Sequence, residues 1–342
     1  MTLAITGGGT GGHLVIAKAL KESALDSGIR VIYLGSTYGQ DKTWFAKDED
    51  FSSKYFFDTS GVVNKKGLKK LVALFAIFKA LISAFLILKK EKVDALISVG
   101  GYSAAPASLA AILRKVPFFI HEQNATVGKL NALLRPFSKN FFSSYNEPKY
   151  DYPVRYDFFE TARERDSIKN IIFLGGSQGA KAINELALRL APKLTEMGIR
   201  IIHQSGKNDL ERVEKAYADL GVDANVFAFS SHMPNLLSKT DFAIARSGAS
   251  TVWEITANQL PTMFIPYPYA AKDHQAANAQ NHVNEEACWM MREGDIDEEE
   301  ILSIVTRSVK LQSQKLKSML SPKGADNIIR AIENQYKDQH GL

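Results

Sequence analysis

Two glycine-rich segments, each placed directly after an apolar run, constrain the fold more than any other feature of the sequence. Residues 7–13 read Gly-Gly-Gly-Thr-Gly-Gly-His after the run 3–6, and residues 175–180 read Gly-Gly-Ser-Gln-Gly-Ala after the run 171–174. A stretch with helical periodicity follows each segment. A strand that passes through a glycine turn into a helix starts a parallel α/β unit, whose backbone amides can face an anion. The sequence therefore predicts two α/β domains.

Short runs rich in apolar and β-branched residues recur through both halves and predict buried parallel strands. These runs are 3–6, 31–34, 95–99, 117–121 and 141–143 in the first half, and 171–174, 200–204, 226–229, 242–245 and 262–266 in the second. The segment 146–166 contains prolines and lacks clear periodicity, so we expect the interdomain connection there. The predicted domains are 1–150 and 151–325, with a C-terminal helix at 326–342 that crosses back to the first domain.

A third glycine segment, residues 100–106, also follows an apolar run and precedes a helical stretch. One such segment is explained by a tight turn, but three at the carboxyl ends of parallel strands favour a ligand cleft. Gly7, Gly9 and Gly12 also satisfy the dinucleotide spacing G-x-G-x-x-G. The second strand, however, ends at residues 35–37 without the acidic residue that binds a dinucleotide's ribose, so NAD and FAD are not expected.

Composition and charge limit the class of protein without naming a ligand. The chain is 45% hydrophobic and 23% charged, which is typical of a folded globular protein and excludes a disordered one. The net charge of +5 is compatible with nucleic acid, a membrane surface or a phosphorylated ligand. The single cysteine, Cys288, cannot form an intrachain disulfide, which favours a reducing compartment such as the cytoplasm.

Seven motifs occur in order along nearly the whole chain, at residues 7–13, 100–106, 121–124, 153–155, 175–180, 246–254 and 273–275. With these motifs the chain resembles the MurG family, which transfers N-acetylglucosamine from UDP-N-acetylglucosamine to undecaprenyl-diphospho-N-acetylmuramoyl-pentapeptide. The resemblance implies an α/β fold of GT-B architecture, with two Rossmann-like doubly wound parallel-sheet domains facing a cleft. It also implies an inverting hexosyltransferase that forms a β-1,4 link, with an acceptor- and membrane-facing first domain and a donor-binding second domain.

The resemblance assigns the UDP-N-acetylglucosamine site to residues that match the family's motifs. They are Thr10, Gly11, Gly12, Asn124, Arg155, Ser177, Ser230, Ala249, Ser250, Thr251, Val252, Trp253, Glu254 and Gln275. Glu254 lies about one helical turn past Ser250, so its carboxylate can accept both hydroxyls of the uridine ribose. Arg155 and the amides beside Ser177 can neutralise the diphosphate as it leaves.

The sugar pocket is expected to depend on amide side chains. Asn124 and Gln275 carry both donors and acceptors, which suits sugar hydroxyls and the acetamido group. Ala276 stands where a second glutamine is common in the family, so one sugar contact is expected to be missing. Ser250 and Trp253 stand where leucine and serine are frequent, so the walls of the uridine pocket are expected to differ.

A general base for the acceptor's hydroxyl is expected near the first glycine segment. His13 is the first candidate, because the positive end of the following helix dipole disfavours imidazolium and leaves a neutral ring. An equally weighted alternative is that His13 only orients a phosphate, and Glu122 is the second candidate for the base. The resemblance assigns the acceptor's diphosphate to Gly9, Gly101, Tyr102 and Ser103.

No metal ion or other cofactor is expected in this site. The two Asp-x-Asp sequences, residues 48–50 and 295–297, do not follow buried strands. The second opens a predicted helix, where acidic side chains cap free amides and complement the dipole. The seven histidines show no spacing typical of metal ligands.

The apolar segment 71–88 indicates a contact with a membrane. Lys79 and Ser83 alone interrupt it, and it is close to the roughly 20 residues that a span requires. Lysines flank both ends of the segment, from Lys65 to Lys92, and basic residues at both ends suit anionic headgroups better than a spanning topology. A helix that packs on the sheet is the alternative. We expect a peripheral protein on the cytoplasmic face of the inner membrane, without a nucleic acid partner.

Three other functions stay open at this stage. A UDP-N-acetylglucosamine 2-epimerase on a similar scaffold is the nearest, although the apolar basic helix weighs against a soluble epimerase. An NAD-dependent oxidoreductase is weakened by the missing acidic residue after Leu34. A peripheral membrane-binding module without catalysis is weakened by the second glycine segment.

Overall fold

A computed structural model of the chain describes residues 1–59, 68–176 and 179–341, and describes no side chains at 68–70. The chain divides into two compact units. The first consists of Met1–Arg155 together with Lys323–Leu342, and the second of Tyr156–Pro322. The C-terminal segment therefore packs with the first unit, and the boundary between the units lies five residues beyond the expected 150.

The first unit is a six-stranded parallel sheet in the order β3-β2-β1-β4-β5-β6. Its strands are β1 (Thr2–Thr6), β2 (Arg30–Ser36), β3 (Ser53–Phe57), β4 (Ala95–Ser98), β5 (Phe118–Glu122) and β6 (Asn140–Ser143). Its helices are α1 (Gly11–Asp26), α2 (Asp41–Phe45), α3 (Leu68–Lys90), α4 (Ala105–Leu113), α5 (Lys129–Leu134) and, at the chain end, α14 (Gly324–His340). The direction of strand addition reverses between β1 and β4, which is where open α/β sheets place ligands.

The second unit repeats this architecture with the strand order β12-β11-β10-β7-β8-β9. Its strands are β7 (Asn170–Leu174), β8 (Arg200–Gln204), β9 (Ala224–Phe227), β10 (Phe242–Ala245), β11 (Thr262–Phe264) and β12 (Trp289–Met290). Its helices are α6 (Tyr156–Glu160), α7 (Lys181–Glu196), α8 (Leu210–Asp219), α9 (Met233–Ser238), α10 (Ala249–Ala257), α11 (His274–Asn284), α12 (Glu298–Val305) and α13 (Lys310–Ser318). Both units confirm the prediction of two doubly wound α/β domains.

Helices cover the sheet of the first unit, so its strands are apolar with little alternation. One core contains strand residues such as Ala4, Ile32 and Leu96, packed against α3, α4 and α5. Helix α14 packs on α1, where the Ser23 hydroxyl donates to Asp326 over 2.6 Å. Burial of both faces explains why the sequence marks these strands as continuous hydrophobic runs.

Helix α3 packs through small residues and leaves its large apolar residues exposed. It contacts α4, and its buried residues are Ala73, Ala80, Ala84 and Leu88. Its exposed apolar residues are Leu71, Val72, Leu74, Phe75, Phe78, Ile82 and Leu86, with Phe75 70% exposed. Within the described residues, this is the one helix long and apolar enough to cross a membrane, as judged by length and composition alone.

Candidate functional site

The first glycine segment and the third meet where the strand order of the first unit reverses. The backbone amide of Gly8 donates to the carbonyl of Gly100 over 3.1 Å. A Cβ at Gly101, whose φ is +80°, would lie 2.1 Å from the carbonyl oxygen of Gly8. Contact this close between two backbones requires glycine. The two segments therefore form one surface above β1 and β4.

His13 lies in the first turn of α1 and is held by a partner at each ring nitrogen. Nδ1 is 2.9 Å from the Thr10 hydroxyl, and Nε2 is 2.8 Å from the side-chain amide nitrogen of Gln123. Because that amide nitrogen can only donate, Nε2 accepts and the ring proton is on Nδ1. Burial lowers the pKa of His13 to about 4, so the ring is neutral at pH 7.

Glu122 ends β5 and uses both carboxylate oxygens to order the turn that follows. One oxygen accepts the amide of Asn124 over 3.0 Å, and the other accepts the amide of Gly128 and the side chain of Asn131, each over 2.9 Å. The neighbouring His121 is buried against Tyr152, and burial together with the charge of His13 lowers its pKa to about 3. Glu122 thus positions the backbone of Asn124, and both of its carboxylate oxygens are occupied by hydrogen bonds. His13 is therefore the better of the two candidate bases.

Asp41 was not identified as a site residue from the sequence, yet it lies directly under the first glycine segment. Its carboxylate accepts the amide of Gly9 over 2.6 Å, the amide of Ser36 over 3.1 Å and the hydroxyl of Tyr33 over 3.1 Å. The dinucleotide pattern places its acidic residue at the end of β2, whereas Asp41 lies five residues beyond that end, at the start of α2. An acidic residue shortly after β2 is the sequence feature that could have identified Asp41.

The predicted acceptor residues surround this junction. The ring of Tyr102 lies over Gly9, where a Cβ would come within 2.7 Å of it. The hydroxyl of Ser103 is buried and has no protein partner within the described residues. The amide of Gly9 is already bonded to Asp41, so a contact with an anion at this segment depends on other amides, such as those that open α1.

Helix α10 exposes Ser250, Thr251 and Glu254 in part and buries its other residues. Val252 and Trp253 are among the buried residues. The Trp253 ring packs against His282 of α11, with ring centroids 5.0 Å apart. Donor contacts proposed at Val252 and Trp253, and at the buried Ala249, are therefore restricted to the backbone. The helix begins after Gly248, which has no side chain to cap the first turn, so amides of this turn can be reached by a ligand.

Arg165 and Arg246 hold the segments on either side of this helix, and sequence reasoning gave neither a role. Arg165 is buried and donates to the carbonyls of Leu237 and Thr240 and to Asn258 at the end of α10. Arg246 donates to the carbonyls of Ile265 and Pro266, each over 3.0 Å. Arg246 opens the motif 246–254 and Arg165 lies in the proline-containing segment 146–166, but only the fold reveals these contacts.

The remaining donor candidates lie in three separate segments. Gln275 accepts the amide of Tyr267 over 2.9 Å, which ties the loop after β11 to the start of α11. Ser230 accepts the amide of His232 over 3.0 Å. Arg155 is partly exposed and is the last residue of the segment Met1–Arg155 of the first unit. Ser177 lies outside the described residues.

The Asp-x-Asp sequences have structural partners. Asp48 and Asp50 both bind the buried Lys21, at 2.8 and 2.7 Å. Asp297 caps α12 by accepting the amide of Glu300 over 3.0 Å, which confirms the capping prediction. Across the described part of the chain, no group of three or more His, Cys, Asp or Glu side chains could hold a metal ion.

Family models match both units. The glycosyltransferase family 28 N-terminal domain matches residues 3–143, and the glycosyltransferase family 28 C-terminal domain matches residues 170–335. Two similar curated proteins are each called UDP-N-acetylglucosamine--N-acetylmuramyl-(pentapeptide) pyrophosphoryl-undecaprenol N-acetylglucosamine transferase. The protein of Sulfurovum sp. is 49% identical over 98% of this chain and 100% of its own length, and that of Sulfurimonas denitrificans is 50% identical over 97% and 98%.

Solved structures agree with this assignment. The crystal structure of Acinetobacter baumannii MurG is similar with a TM-score of 0.75 and 29% identity, over 97% of this chain and 99% of the other. A UDP-GlcNAc 2-epimerase from Neisseria meningitidis reaches a TM-score of 0.64 at 15% identity, over 98% of this chain and 99% of the other, a likeness of fold alone. The chain belongs to glycosyltransferase family 28 and has the GT-B fold of that family.

Proposed function

We infer that the chain transfers N-acetylglucosamine from UDP-N-acetylglucosamine to the C4 hydroxyl of undecaprenyl-diphospho-N-acetylmuramoyl-pentapeptide. The observation that carries this inference is identity of 48–50% over nearly the full length to curated transferases named for that reaction. The 2-epimerase and the oxidoreductase have no comparable support. The site residues below are our assignment of roles within this reaction.

The donor's nucleotide is assigned to α10 and the loops beside it. The partly exposed carboxylate of Glu254 is placed to accept the ribose hydroxyls, with Ser250 one turn earlier on the same side of the helix. Amides at the start of α10, which follows Gly248, can bind a phosphate, as helix N-termini do. Arg155 and the second glycine segment supply the remaining positive potential for the diphosphate.

The sugar transfer is assigned to a single displacement. The oxygen of the acceptor's C4 hydroxyl forms a bond to the anomeric carbon while the bond from that carbon to UDP breaks, and a base takes the hydroxyl proton. The neutral ring of His13 can take that proton once the acceptor's hydroxyl replaces Gln123 at Nε2. The charge that develops on the leaving diphosphate is stabilised by amides and Arg155.

The acceptor's diphosphate is assigned to the surface formed by the first and third glycine segments. Tyr102 and Ser103 open the helical turn after Gly101, and the Ser103 hydroxyl has no protein partner among the described residues. Gly9 contributes space, because a side chain there would collide with the Tyr102 ring. These features support a polar, closely shaped site above the reversal point of the sheet.

A peripheral contact with the cytoplasmic face of the membrane is assigned to α3. Its exposed residues include Leu71, Phe75, Phe78 and Leu86, an apolar surface of the kind that lies in the interfacial layer of a bilayer. Lys89 and Lys90 are exposed at the end of the helix. With the helix on the membrane surface, they would lie beside anionic headgroups. Lys65 and Lys66 lie outside the described residues. A lipid-linked acceptor requires such a contact.

The reaction is tested by incubating the protein with labelled UDP-N-acetylglucosamine, with and without the muramoyl lipid. Transfer of label into the lipid fraction only when the acceptor is present is the expected result. Release of label as a free sugar, or epimerisation without acceptor, would contradict the assignment.

A further inference from the structure

Asp41 is a fully buried carboxylate that is held by neutral hydrogen-bond donors. Its exposed fraction is 0%, and no Lys or Arg in the described part of the chain forms an ion pair with it. Removing a carboxylate from water is costly unless hydrogen bonds compensate. The compensation comes from the amides of Gly9 and Ser36 and in part from the hydroxyl of Tyr33, whose single proton is shared between Asp41 and the carbonyl of Gly7.

These donors come from two segments, the first glycine segment and β2, and Asp41 joins the two. Gly9 belongs to the first glycine segment, Ser36 ends β2, and the Tyr33 hydroxyl also donates to the carbonyl of Gly7 over 2.7 Å. A Cβ at Gly8 would lie 2.4 Å from the Asp41 carboxylate. The glycine segment is therefore packed directly on the carboxylate and bonded to it, not merely near it.

The influence of Asp41 extends to Tyr102. The Tyr102 ring lies over Gly9, and its hydroxyl approaches Gly39, where a Cβ would be 2.9 Å away. Burial, and then the negative charge of Asp41, raise the pKa of Tyr102. Two residues assigned to the acceptor's diphosphate, Gly9 and Tyr102, thus rest on the segment that Asp41 holds.

We propose that Asp41 is a positioning residue that holds Gly9 and Tyr102 in the geometry that receives the acceptor's diphosphate. This inference rests on the proposed function. Asp41 itself does not touch the substrate, because it is fully buried beneath the segment. We expect its effect on acceptor binding, with no change in nucleotide binding by the second unit.

The test is Asp41→Asn, which keeps the size of the side chain but turns an amide toward one of its three donors. We expect KM for the muramoyl lipid to rise about tenfold, the effect of losing one charged hydrogen bond. UDP affinity, measured by calorimetry, should be unchanged. Asp94→Asn is the matched control, because Asp94 also accepts a backbone amide, that of Thr2 over 2.7 Å, at the opposite end of β1.

Each result decides the inference. An equal effect of Asp41→Asn and Asp94→Asn on KM, or an unchanged acceptor KM in Asp41→Asn, would overturn it while the proposed function stands. Absence of transfer by the unmodified protein would overturn both. If Asp41→Asn does not fold, Tyr33→Phe removes the hydroxyl that bridges Asp41 and the Gly7 carbonyl and keeps the charge of Asp41, and we expect a smaller rise in acceptor KM. No rise in a folded Tyr33→Phe would overturn the inference.

Discussion

The side-chain amide of Gln123 donates to Nε2 of His13 over 2.8 Å, so the ring nitrogen that faces away from Thr10 is a hydrogen-bond acceptor. This contact orients the ring and fixes its tautomer. It also means that a proton can be taken at Nε2 only when the acceptor's hydroxyl displaces Gln123. The two roles considered for His13, base and phosphate orienter, therefore make different predictions.

His13→Asn should lower kcat by about a hundredfold or more if His13 is the base, since general bases contribute that much. Asparagine can still donate a hydrogen bond but cannot take a proton at pH 7. UDP affinity should be unchanged, as measured by calorimetry. A kcat within a few-fold of the unmodified protein would assign His13 to orientation alone.

Glu254→Ala should weaken UDP binding by about 1 to 3 kcal/mol, because two ribose hydroxyls lose their acceptor. The melting temperature should be unchanged, since Glu254 is partly exposed. Trp253→Ala is the contrasting variant on the same helix. Removal of its buried ring should lower the free energy of unfolding by about 3 to 5 kcal/mol. Unchanged UDP affinity in Glu254→Ala would remove this residue from the site.

Transfer should persist in excess chelator. Asp48 and Asp50 are occupied by Lys21, and Asp297 caps a helix, so neither Asp-x-Asp sequence has carboxylates arranged for an ion. Arg155 and helix-terminal amides can neutralise the diphosphate instead. Loss of activity with chelator, restored by magnesium or manganese, would contradict this prediction.

Phe75→Ser combined with Phe78→Ser should weaken binding to anionic vesicles without lowering the melting temperature, because both rings are exposed. Ala84→Asp is the control on the buried side of α3 and should lower the melting temperature. Changing Lys89 and Lys90 to Gln should reduce binding by roughly 1 kcal/mol per residue, and added salt should mimic that loss. Cosedimentation and thermal melting of the same variants measure both effects. Intact vesicle binding by the phenylalanine variant would contradict the assignment.

Acid should destabilise the fold between about pH 6.5 and pH 4. Burial lowers the pKa of His13, His203 and His282 to about 4, and that of His121 to about 3. In this window the unfolded chain binds more protons than the folded one, so stability falls as the pH is lowered. Each ring contributes up to about 1.4 kcal/mol per pH unit.

His282→Gln should give a shallower dependence of melting temperature on pH than the unmodified protein, because one titrating ring is removed. The absolute stability is not the measure here, since His282 also contacts the Thr256 hydroxyl over 2.8 Å. Identical slopes in the two proteins would show that His282 does not titrate in this range.

The sequence by itself determined the fold class, the two-domain organisation and most strands, because buried parallel strands are continuous apolar runs and glycine turns mark where they end. It did not reveal β3, which is partly exposed at the sheet edge, or β12, which has two residues. Both lack the long apolar run that distinguishes a central strand.

The tertiary structure alone decided which neighbouring residues within the motifs are exposed and which are buried. Glu254 and Trp253 are adjacent in sequence, yet one is partly exposed and the other is buried against His282. It also brought Asp41 under Gly9, across 32 positions, and Gln123 to His13, across 110. Contacts between distant segments depend on how the sheet orders its strands, and the local pattern of residues carries no record of that order.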